Sequence, residues 1–210
     1  MKYDVVVLGA GAAGLMAAIT AASRKKSVLV IERSNKVGKK ILMSGGGRCN
    51  FTNTDLEFEN FLSNNEHFCK SALSRYTAWD FIELVKKHEI EFEERKHNQL
   101  FCVHSAKDIV NMLLKECEIN KVNIIKNSEI SSVIDLDNED NLNHEKYRVE
   151  GYEKNNKEEA ALKIDCKSLI VATGALSVPT LGGSDFGYKL AEQYNMSLNT
   201  LSAGLVPFMF

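Results

Sequence analysis

Residues 3–14 read YDVVVLGAGAAG, and this stretch decides the fold. Its first half, residues 3–8, is a nearly continuous apolar run, which predicts a strand buried on both faces of a parallel sheet. Its second half, residues 9–14, is a G-x-G-x-x-G element. An alanine-rich helix is predicted over residues 15–24 and a second apolar strand over residues 27–31. Strand, glycine turn, helix and strand in this order predict a βαβ unit that binds a dinucleotide.

Each glycine of this turn has a separate predicted role. Gly9 permits the tight turn, Gly11 lets the backbone approach a pyrophosphate, and Gly14 allows the helix to pack closely on the strand. The phosphates would meet unpaired N–H groups and the positive end of the helix dipole. Glu32 follows the second strand, 18 residues after Gly14, and can accept hydrogen bonds from a ribose diol.

The composition is that of an ordinary globular protein. The chain has 210 residues, 44% hydrophobic and 26% charged, which suits one large domain or one domain with an insertion. The formal net charge of −2 gives no reason to expect a nucleic acid or an acidic membrane surface as a partner.

The cysteines and the N-terminus favour a cytoplasmic location. Five cysteines, an odd number with no C-x-x-C, indicate reduced thiols rather than a disulfide framework or a zinc site. The five histidines show no metal-ligand spacing. Because Met1 and Lys2 lead directly into the first strand, no signal peptide is predicted, and no apolar run approaches the length of a membrane span.

A second glycine-rich element, SGGGRCN, occupies residues 44–50. Its backbone N–H groups can form an anion-binding concavity, and Arg48 can hold a phosphate or carboxylate through two hydrogen bonds. The alternative is a tight structural turn with Arg48 on the surface. Beside a dinucleotide fold, the anion-binding interpretation is favoured.

The rest of the chain alternates predicted helices and strands. Trp79 is interpreted as a packing residue, Cys117 as a buried one, and Ser105 with Asp108 as a helix-capping box. A buried strand at 168–172 ends in Ala-Thr-Gly, where a sheet edge can touch a cofactor. Helices are predicted at 69–88, 105–118 and 185–193; strands at 90–94, 99–103, 122–125 and 197–201; and a three-stranded antiparallel meander at 129–136, 147–152 and 161–166. A short helix at 55–62 is a further possibility.

Over nearly its whole length the chain resembles the N-terminal part of the YhiN/BaiN-type NAD(P)/FAD-dependent oxidoreductases. Residues 38–53, GKKILMSGGGRCNFTN, match that family's long signature. The segments 183–188 and 205–207 match later family segments. The sequence departs from the family pattern at Asn98, Gln99 and Cys102, and at Ala175, where the family has glycine.

The resemblance implies a Rossmann-like α/β domain with a parallel central sheet, crossover helices and an antiparallel β-meander. It implies an FAD-binding domain over residues 1–195 with a helical insertion at about 54–119, and the start of a truncated substrate domain at 196–210. The pyrophosphate would lie on the first glycine turn, Glu32 would hold the adenosine ribose, and the Ile130 backbone would contact adenine. The residues expected to hold FAD are Gly9, Gly11, Ala12, Ala13, Gly14, Glu32, Arg33, Lys40, Ser44, Gly45, Gly46, Arg48, Cys49, Asn50, Ile130, Ala172, Thr173 and Gly174.

An FAD-dependent oxidoreductase is the function that this resemblance implies, with NAD(P)H or an organic substrate as electron donor. Cys49 is a weak catalytic candidate as acid, base or nucleophile, and its alternative is a small packing residue. Arg48 would steady a negatively charged reduced flavin or the pyrophosphate. The sequence contains no Ser/His/Asp or Cys/His set that would indicate hydrolysis.

Two other functions stay open at this point: an NAD(P)-dependent dehydrogenase without flavin, and a non-catalytic FAD-binding fragment, because the apolar end of the chain looks cut. A small-molecule substrate is expected, without nucleic acid or membrane. The sequence predicts neither the identity of the substrate nor the oligomeric state.

Overall fold

The computed structural model describes residues 1–136, 145–154, 160–177 and 183–202. The strands are β1 (Lys2–Leu8), β2 (Val28–Ile31), β3 (Asn50–Asn53), β4 (Phe92–Arg95), β5 (Gln99–Cys102), β6 (Asn123–Ile125), β7 (Ser128–Asp135), β8 (Tyr147–Glu153) and β9 (Ala160–Val171). The α-helices are α1 (Ala12–Ser23), α2 (Lys39–Met43), α3 (Lys70–Arg75), α4 (Ala78–Lys87), α5 (Ala106–Ile119) and α6 (Phe186–Gln193).

A six-stranded sheet forms the centre, in the order β6-β2-β1-β9-β8-β7. The first four strands run parallel, and β7, β8 and β9 pair antiparallel. This confirms the predicted Rossmann-like fold with its parallel sheet and meander. The order places β1 in the middle of the sheet. Its side chains are apolar on both faces, and both faces of a central strand are buried.

Both faces of the sheet are covered. Val5 and Val7 of β1 point to one face, where α1 and α5 supply residues such as Leu15 and Leu113. The alternate residues of β1, which include Leu8, point to the other face, which the meander and α6 cover. Side chains alternate along a strand, so the uninterrupted apolar run of β1 fills two separate cores.

Strand β9 differs from its prediction. The sequence suggested two strands, at 161–166 and 168–172, but a single strand spans Ala160–Val171. It pairs antiparallel with β8 from Ala160 to Cys166 and parallel with β1 from Asp165 to Val171. Lys167 lies between the two predicted strands, and its exposed side chain donates to Asp4 at 2.9 Å while the strand runs through it.

A second, three-stranded antiparallel sheet has the order β3-β5-β4. The predicted pairing of the strands at 90–94 and 99–103 is confirmed as β4 with β5. No strand was predicted before residue 90 in this region, but Asn50–Asn53 forms β3 and pairs with β5. Loop-favouring asparagines surround Phe51, and the pairing with β5 is a tertiary contact that this local pattern does not show.

The helix predicted over residues 69–88 is two helices. α3 ends at Arg75, and α4 begins after Thr77, which caps it. The Thr77 hydroxyl accepts from the Asp80 N–H at 3.3 Å and the Asp80 carboxylate accepts from the Thr77 N–H at 2.7 Å, which is a capping box. Trp79 is exposed, so its interpretation as a packing residue was wrong. The possible helix at 55–62 is only a 3₁₀ turn, Phe58–Asn60.

Several other predictions are decided in the described residues. The Ser105–Asp108 capping box and the burial of Cys117 are confirmed, as is the helix at 185–193, which is α6. Residues 197–201 form no strand. The turns predicted between the meander strands, the loop around Pro179 and the 205–207 segment fall largely or wholly outside the described residues. None of the described helices has the length and apolarity needed to cross a membrane.

A buried carboxylate links α4 to α5 and makes the stability of this pair sensitive to pH. Glu116 is buried, and one of its oxygens lies 2.7 Å from Lys87 Nζ and 2.7 Å from His88 Nε2. The hydrogen bond from Lys87, followed by that from His88, holds the pKa of Glu116 below its usual 4.5. The ionised carboxylate therefore stabilises the fold above pH 4.5, and this contribution is lost as the pH falls through the folded-state pKa.

We expect Glu116→Gln to lower the free energy of unfolding at pH 7, because the glutamine removes the charge that Lys87 and His88 share. The same change should flatten the acid limb of the stability profile below about pH 5. Urea unfolding at a series of pH values measures both effects. Glu83→Gln is the control, since Glu83 forms only an exposed pair with Lys86. Equal acid limbs in wild type and Glu116→Gln would contradict the assignment.

Candidate functional site

A cleft of about 650 Å³ opens where β1, β2 and β9 end at their carboxyl ends. This is the position at which open α/β sheets bind their ligands, and the volume lies in the range of cofactor sites. Of the residues expected to hold FAD, those that line the cleft are Gly9, Gly11, Ala12, Ala13, Glu32, Arg33, Lys40, Ile130, Ala172, Thr173 and Gly174. The fold thus brings together residues that are up to 165 positions apart (9 to 174) in the sequence.

Gly9 and Gly14 pack against backbone under the floor of the cleft. Gly9 has φ +100°, and a Cβ there would lie 2.5 Å from the carbonyl oxygen of Ala172. A Cβ on Gly14 would overlap the carbonyl oxygen of Gly9. Gly14 therefore lies against the turn rather than in the cleft, and both positions serve the packing of turn, helix and β9.

Gly11 is different, because a Cβ there would meet no atom within 4 Å. Its φ of −82° is open to any residue, so backbone geometry does not require glycine here. Gly11 is the N-cap of α1, and no side chain caps the helix. The space above it is the space through which a phosphate would reach the first N–H groups of α1.

The Glu32 carboxylate fixes the shape of the cleft. One oxygen accepts from the Ala10 N–H at 2.8 Å, and the other accepts from the Ser34 N–H at 2.8 Å. These bonds connect the glycine turn to the segment that follows β2. A carboxylate has about four lone-pair sites, so two stay available for a ribose diol.

The far wall of the cleft is the segment after β9. Gly174 has φ +81°, and a Cβ there would lie 3.2 Å from Lys40 Nζ, which also donates to Ser177 Oγ at 2.9 Å. Lys40 thereby bridges α2 and the segment after β9. The buried hydroxyl of Thr173 lines the same wall, and among the described residues it has no hydrogen-bond partner.

These features fit a bound dinucleotide. Buried hydroxyls normally have a partner, so the unpartnered Thr173 Oγ1 has hydrogen-bonding capacity left for a ligand atom. The open space over Gly11 and the uncapped end of α1 suit a pyrophosphate, and the two free lone-pair sites of Glu32 suit a ribose. The residues present therefore fit FAD over its adenosine and pyrophosphate part.

Residues 44–50 lie outside this cleft. Gly45, Gly46 and Gly47 all have positive φ, and a Cβ on Gly45 would lie 2.6 Å from the Phe101 ring. Gly46 and Gly47 face open space. The expected contacts of Ser44, Gly45, Gly46, Arg48, Cys49 and Asn50 with a flavin remain a prediction.

Cys49 is 5% exposed and has a left-handed backbone, φ 49°. Burial raises the pKa of its thiol, against the opposing effect of a hydrogen bond with Ser44. At neutral pH the thiol is therefore protonated, which suits an acid or a packing residue rather than a nucleophile. Arg48 is half-exposed, and its Nη1 lies 3.9 Å from Glu93.

Sequence reasoning missed part of the cleft. Further lining residues are Ser34, Lys36, Lys39, Ser128, Glu129, Ser131, Ser184, Asp185, Phe186 and Lys189. The basic residues between β2 and α2, such as Lys36, carried a sequence signal for the cleft, because they follow Glu32 closely in the chain. The α6 residues carried none, since only the folding of α6 onto the meander brings them to the cleft.

We expect Glu32→Ala to destabilise the apoprotein as well as to weaken FAD binding. From the sequence, Glu32 was expected only to hold the ribose, but its carboxylate also accepts from two backbone N–H groups. Their loss should lower the free energy of unfolding by about 2–3 kcal/mol. Urea unfolding without FAD measures this, and Glu129→Gln is the control, because its main partner is the exposed Lys154. Equal stability of Glu32→Ala and wild type would contradict the placement of Glu32.

Comparison with known proteins agrees with the fold. Residues 3–209 match the family described as HI0933-like protein Rossmann domain. The chain is 45% identical over 214 residues to the ribosomal RNA dihydrouridine synthase of Escherichia coli (strain K12), covering 99% of this chain and 48% of that protein. It is 23% identical over 207 residues to the 3-dehydro-bile acid delta(4,6)-reductase of Clostridium scindens, covering 95% of this chain and 46% of that protein.

Among solved structures, the 3-ketosteroid-delta4-(5alpha)-dehydrogenase of Rhodococcus jostii RHA1 superimposes with a TM-score of 0.59 at 15% identity, covering 83% of this chain and 46% of that one. This likeness supports the fold. The chain spans about half the length of the curated relatives it matches. It belongs to the HI0933-like Rossmann-domain family, the YhiN/BaiN-type flavoproteins whose cofactor is FAD.

Proposed function

We propose that this chain is the FAD-binding part of an oxidoreductase that reduces uracil bases of ribosomal RNA to dihydrouracil. The observation that carries the proposal is the 45% identity to a ribosomal RNA dihydrouridine synthase over 99% of this chain. The cleft at the ends of β1 and β9 supports the flavin part of the proposal, because the residues that line it fit FAD.

The curated relatives support one class of reaction. Dihydrouridine formation saturates the C5–C6 double bond of uracil, which is conjugated to the C4 carbonyl. The bile-acid relative is named as a delta(4,6)-reductase of a 3-dehydro compound, so it also acts on a double bond conjugated to a carbonyl. Reduced flavin supplies the hydride for such a reduction, and NAD(P)H is the proposed donor of electrons.

The residues of this chain bind and orient the cofactor. The first N–H groups of α1 would hold the pyrophosphate, the Glu32 carboxylate the adenosine ribose, and Thr173 Oγ1 a polar atom of the cofactor. Lys40 places a positive charge at the far end of the cleft, beside Gly174. An ammonium group there would stabilise negative charge on the reduced cofactor.

A ribosomal RNA substrate differs from the expectation, drawn from the net charge, that no nucleic acid is bound. Net charge describes the whole surface and does not exclude a local basic surface. A small molecule with a conjugated carbonyl is the second candidate, and the bile-acid relative favours it.

The test incubates the FAD-loaded protein and NADPH with ribosomal RNA made by transcription, which contains no modified base. Nucleoside mass spectrometry then measures dihydrouridine as uridine with two added hydrogen atoms. We expect dihydrouridine with wild-type protein and none with Gly11→Val, which should not hold FAD. Oxidation of NADPH by a steroid enone, without dihydrouridine in the RNA, would favour the second candidate and contradict the first.

A further inference from the structure

The connection between β3 and β4 exposes aromatic side chains next to basic ones. Phe68 is 81% exposed, Tyr76 43% and Trp79 57%. Lys70 and Arg75 lie on α3, between Phe68 and Tyr76 in the sequence. Aromatic side chains contribute most to stability when they are buried, so several exposed ones on one short segment indicate an interaction surface.

The exposure of Trp79 follows from how α4 is held. Ile82 and Val85 of α4 are buried in the core, and Trp79 lies in the first turn on the outward side. The capping box of Thr77 fixes the start of this helix. Trp79 is therefore presented by an ordered helix and not by a frayed end.

The charges around these rings favour an anionic partner. Lys70 and Arg75 form no ion pair within the described part of the chain. Of the acids close by in the sequence, Glu83 pairs with Lys86 at 2.8 Å and Glu66 lies 3.4 Å from His67, whereas Asp80 accepts from Thr77 and keeps its negative charge. The aromatic–basic surface, defined by Phe68, Lys70, Arg75, Tyr76 and Trp79, thus offers two cations that form no ion pair among the described residues.

This surface is attached to the strand that follows the glycine-rich signature. Phe51 of β3 packs against Phe81 of α4, with ring centroids 6.0 Å apart. This contact anchors α4 beside β3, which begins at the end of the segment 44–50. The resemblance of this segment to the family signature places it near the flavin.

We propose that the aromatic–basic surface binds single-stranded RNA next to the base that is reduced. Bases would stack on Tyr76, Trp79 and Phe68, and phosphates would contact Lys70 and Arg75, as in proteins that bind single strands. The inference rests on the proposed function. An enzyme that modifies a base must take it out of the helical stack, so it has to hold the unpaired neighbours of that base.

The test measures binding of a short, uridine-rich, Cy5-labelled oligoribonucleotide to the full, FAD-loaded chain by fluorescence anisotropy. We expect Trp79→Ala and Tyr76→Ala each to weaken binding about tenfold, because each removes one stacking platform. FAD content and thermal stability should stay at the wild-type level, since both side chains are exposed. Lys25→Ala/Lys26→Ala is the control, because these exposed lysines lie between α1 and β2, outside the aromatic–basic surface.

Two further measurements separate stacking from charge. Lys70→Ala/Arg75→Ala should reduce the slope of log affinity against log salt by about 1.4, from two lost phosphate contacts. Trp79 is the one tryptophan of the chain, so its emission reports on this surface directly. RNA should quench that emission at constant FAD occupancy.

Four outcomes would overturn the inference. RNA affinity unchanged in Trp79→Ala and Tyr76→Ala would place the RNA elsewhere and leave ribosomal RNA as the proposed substrate. If wild-type protein forms dihydrouridine in the activity test but does not bind the oligonucleotide, only the assignment of this surface is wrong. If it neither forms dihydrouridine nor binds the oligonucleotide, the proposed function is wrong as well. A wild-type dimer that Trp79→Ala converts to monomers, with RNA binding intact, would assign the surface to a second copy of the chain.

Discussion

Gly11→Val abolishes FAD binding and leaves the apoprotein folded: this is the expected result for the glycine at the mouth of the cleft. A Cβ at Gly11 would meet no protein atom within 4 Å, and φ −82° suits valine. The added side chain would instead fill the space in which the pyrophosphate meets α1. Loss of those charged hydrogen bonds alone, about 3 kcal/mol, would weaken binding more than about 100-fold, and the steric overlap of the valine with the pyrophosphate removes the remaining affinity.

Two measurements check this prediction. Titration of apoprotein with FAD, followed by flavin fluorescence, should show the loss of affinity. Urea unfolding of the apoprotein should give a free energy within about 1 kcal/mol of wild type, because the change affects only the N-cap of α1. Normal FAD binding by the variant would show that the pyrophosphate does not lie on this turn. Failure of the variant to fold would show that Gly11 is needed for packing.

Gly14→Ala should have the opposite pattern, because it disrupts the fold directly. The new methyl group would overlap the Gly9 carbonyl oxygen, and neither atom belongs to a flexible side chain. Helix α1 would have to move away from β1, which we expect to lower the free energy of unfolding by about 3 kcal/mol. Thermal and urea unfolding without FAD measure this effect, so it does not depend on the cofactor.

Gly187→Ala is the matched control for Gly14→Ala. It introduces the same methyl group into helix α6, where the nearest atom would be 3.6 Å away, an ordinary contact. Glycine is a poor helix former, so this change should raise stability by about 0.5–1 kcal/mol. If both changes have the same effect on stability, then the close packing of Gly14 on Gly9 does not limit the position of α1.

Comparison of the sequence with the structure shows which features local patterns can predict. The apolar run of β1, the glycine turn and helix α1 were predictable, because a buried strand, a tight turn and a helix each need particular residue types at neighbouring positions. The Ser105–Asp108 capping box was predictable for the same reason, since both partners lie within one helical turn. The Thr77–Asp80 box has the same spacing, but the apolar pattern around it favoured one continuous helix.

Features that depend on pairing between distant segments were not predictable. Strand β3 exists because Asn50–Asn53 pairs with β5, almost fifty residues later. Strand β9 stays continuous past Lys167 because β8 and β1 pair with its two halves. In both cases, backbone hydrogen bonds to a distant strand outweigh a weak or interrupted local preference.

The sequence by itself determined the βαβ unit, its dinucleotide turn and the family resemblance, because these depend on residues close together in the chain. Tertiary structure alone decided which residues share the cleft, since Glu32, Lys40 and Thr173 lie on different elements. It also distinguished the roles of the glycines, because Gly9 and Gly14 lie against backbone while Gly11 faces open space. The sequence pattern assigns these roles only by analogy, whereas the distance from each glycine to its neighbours is a property of the folded chain.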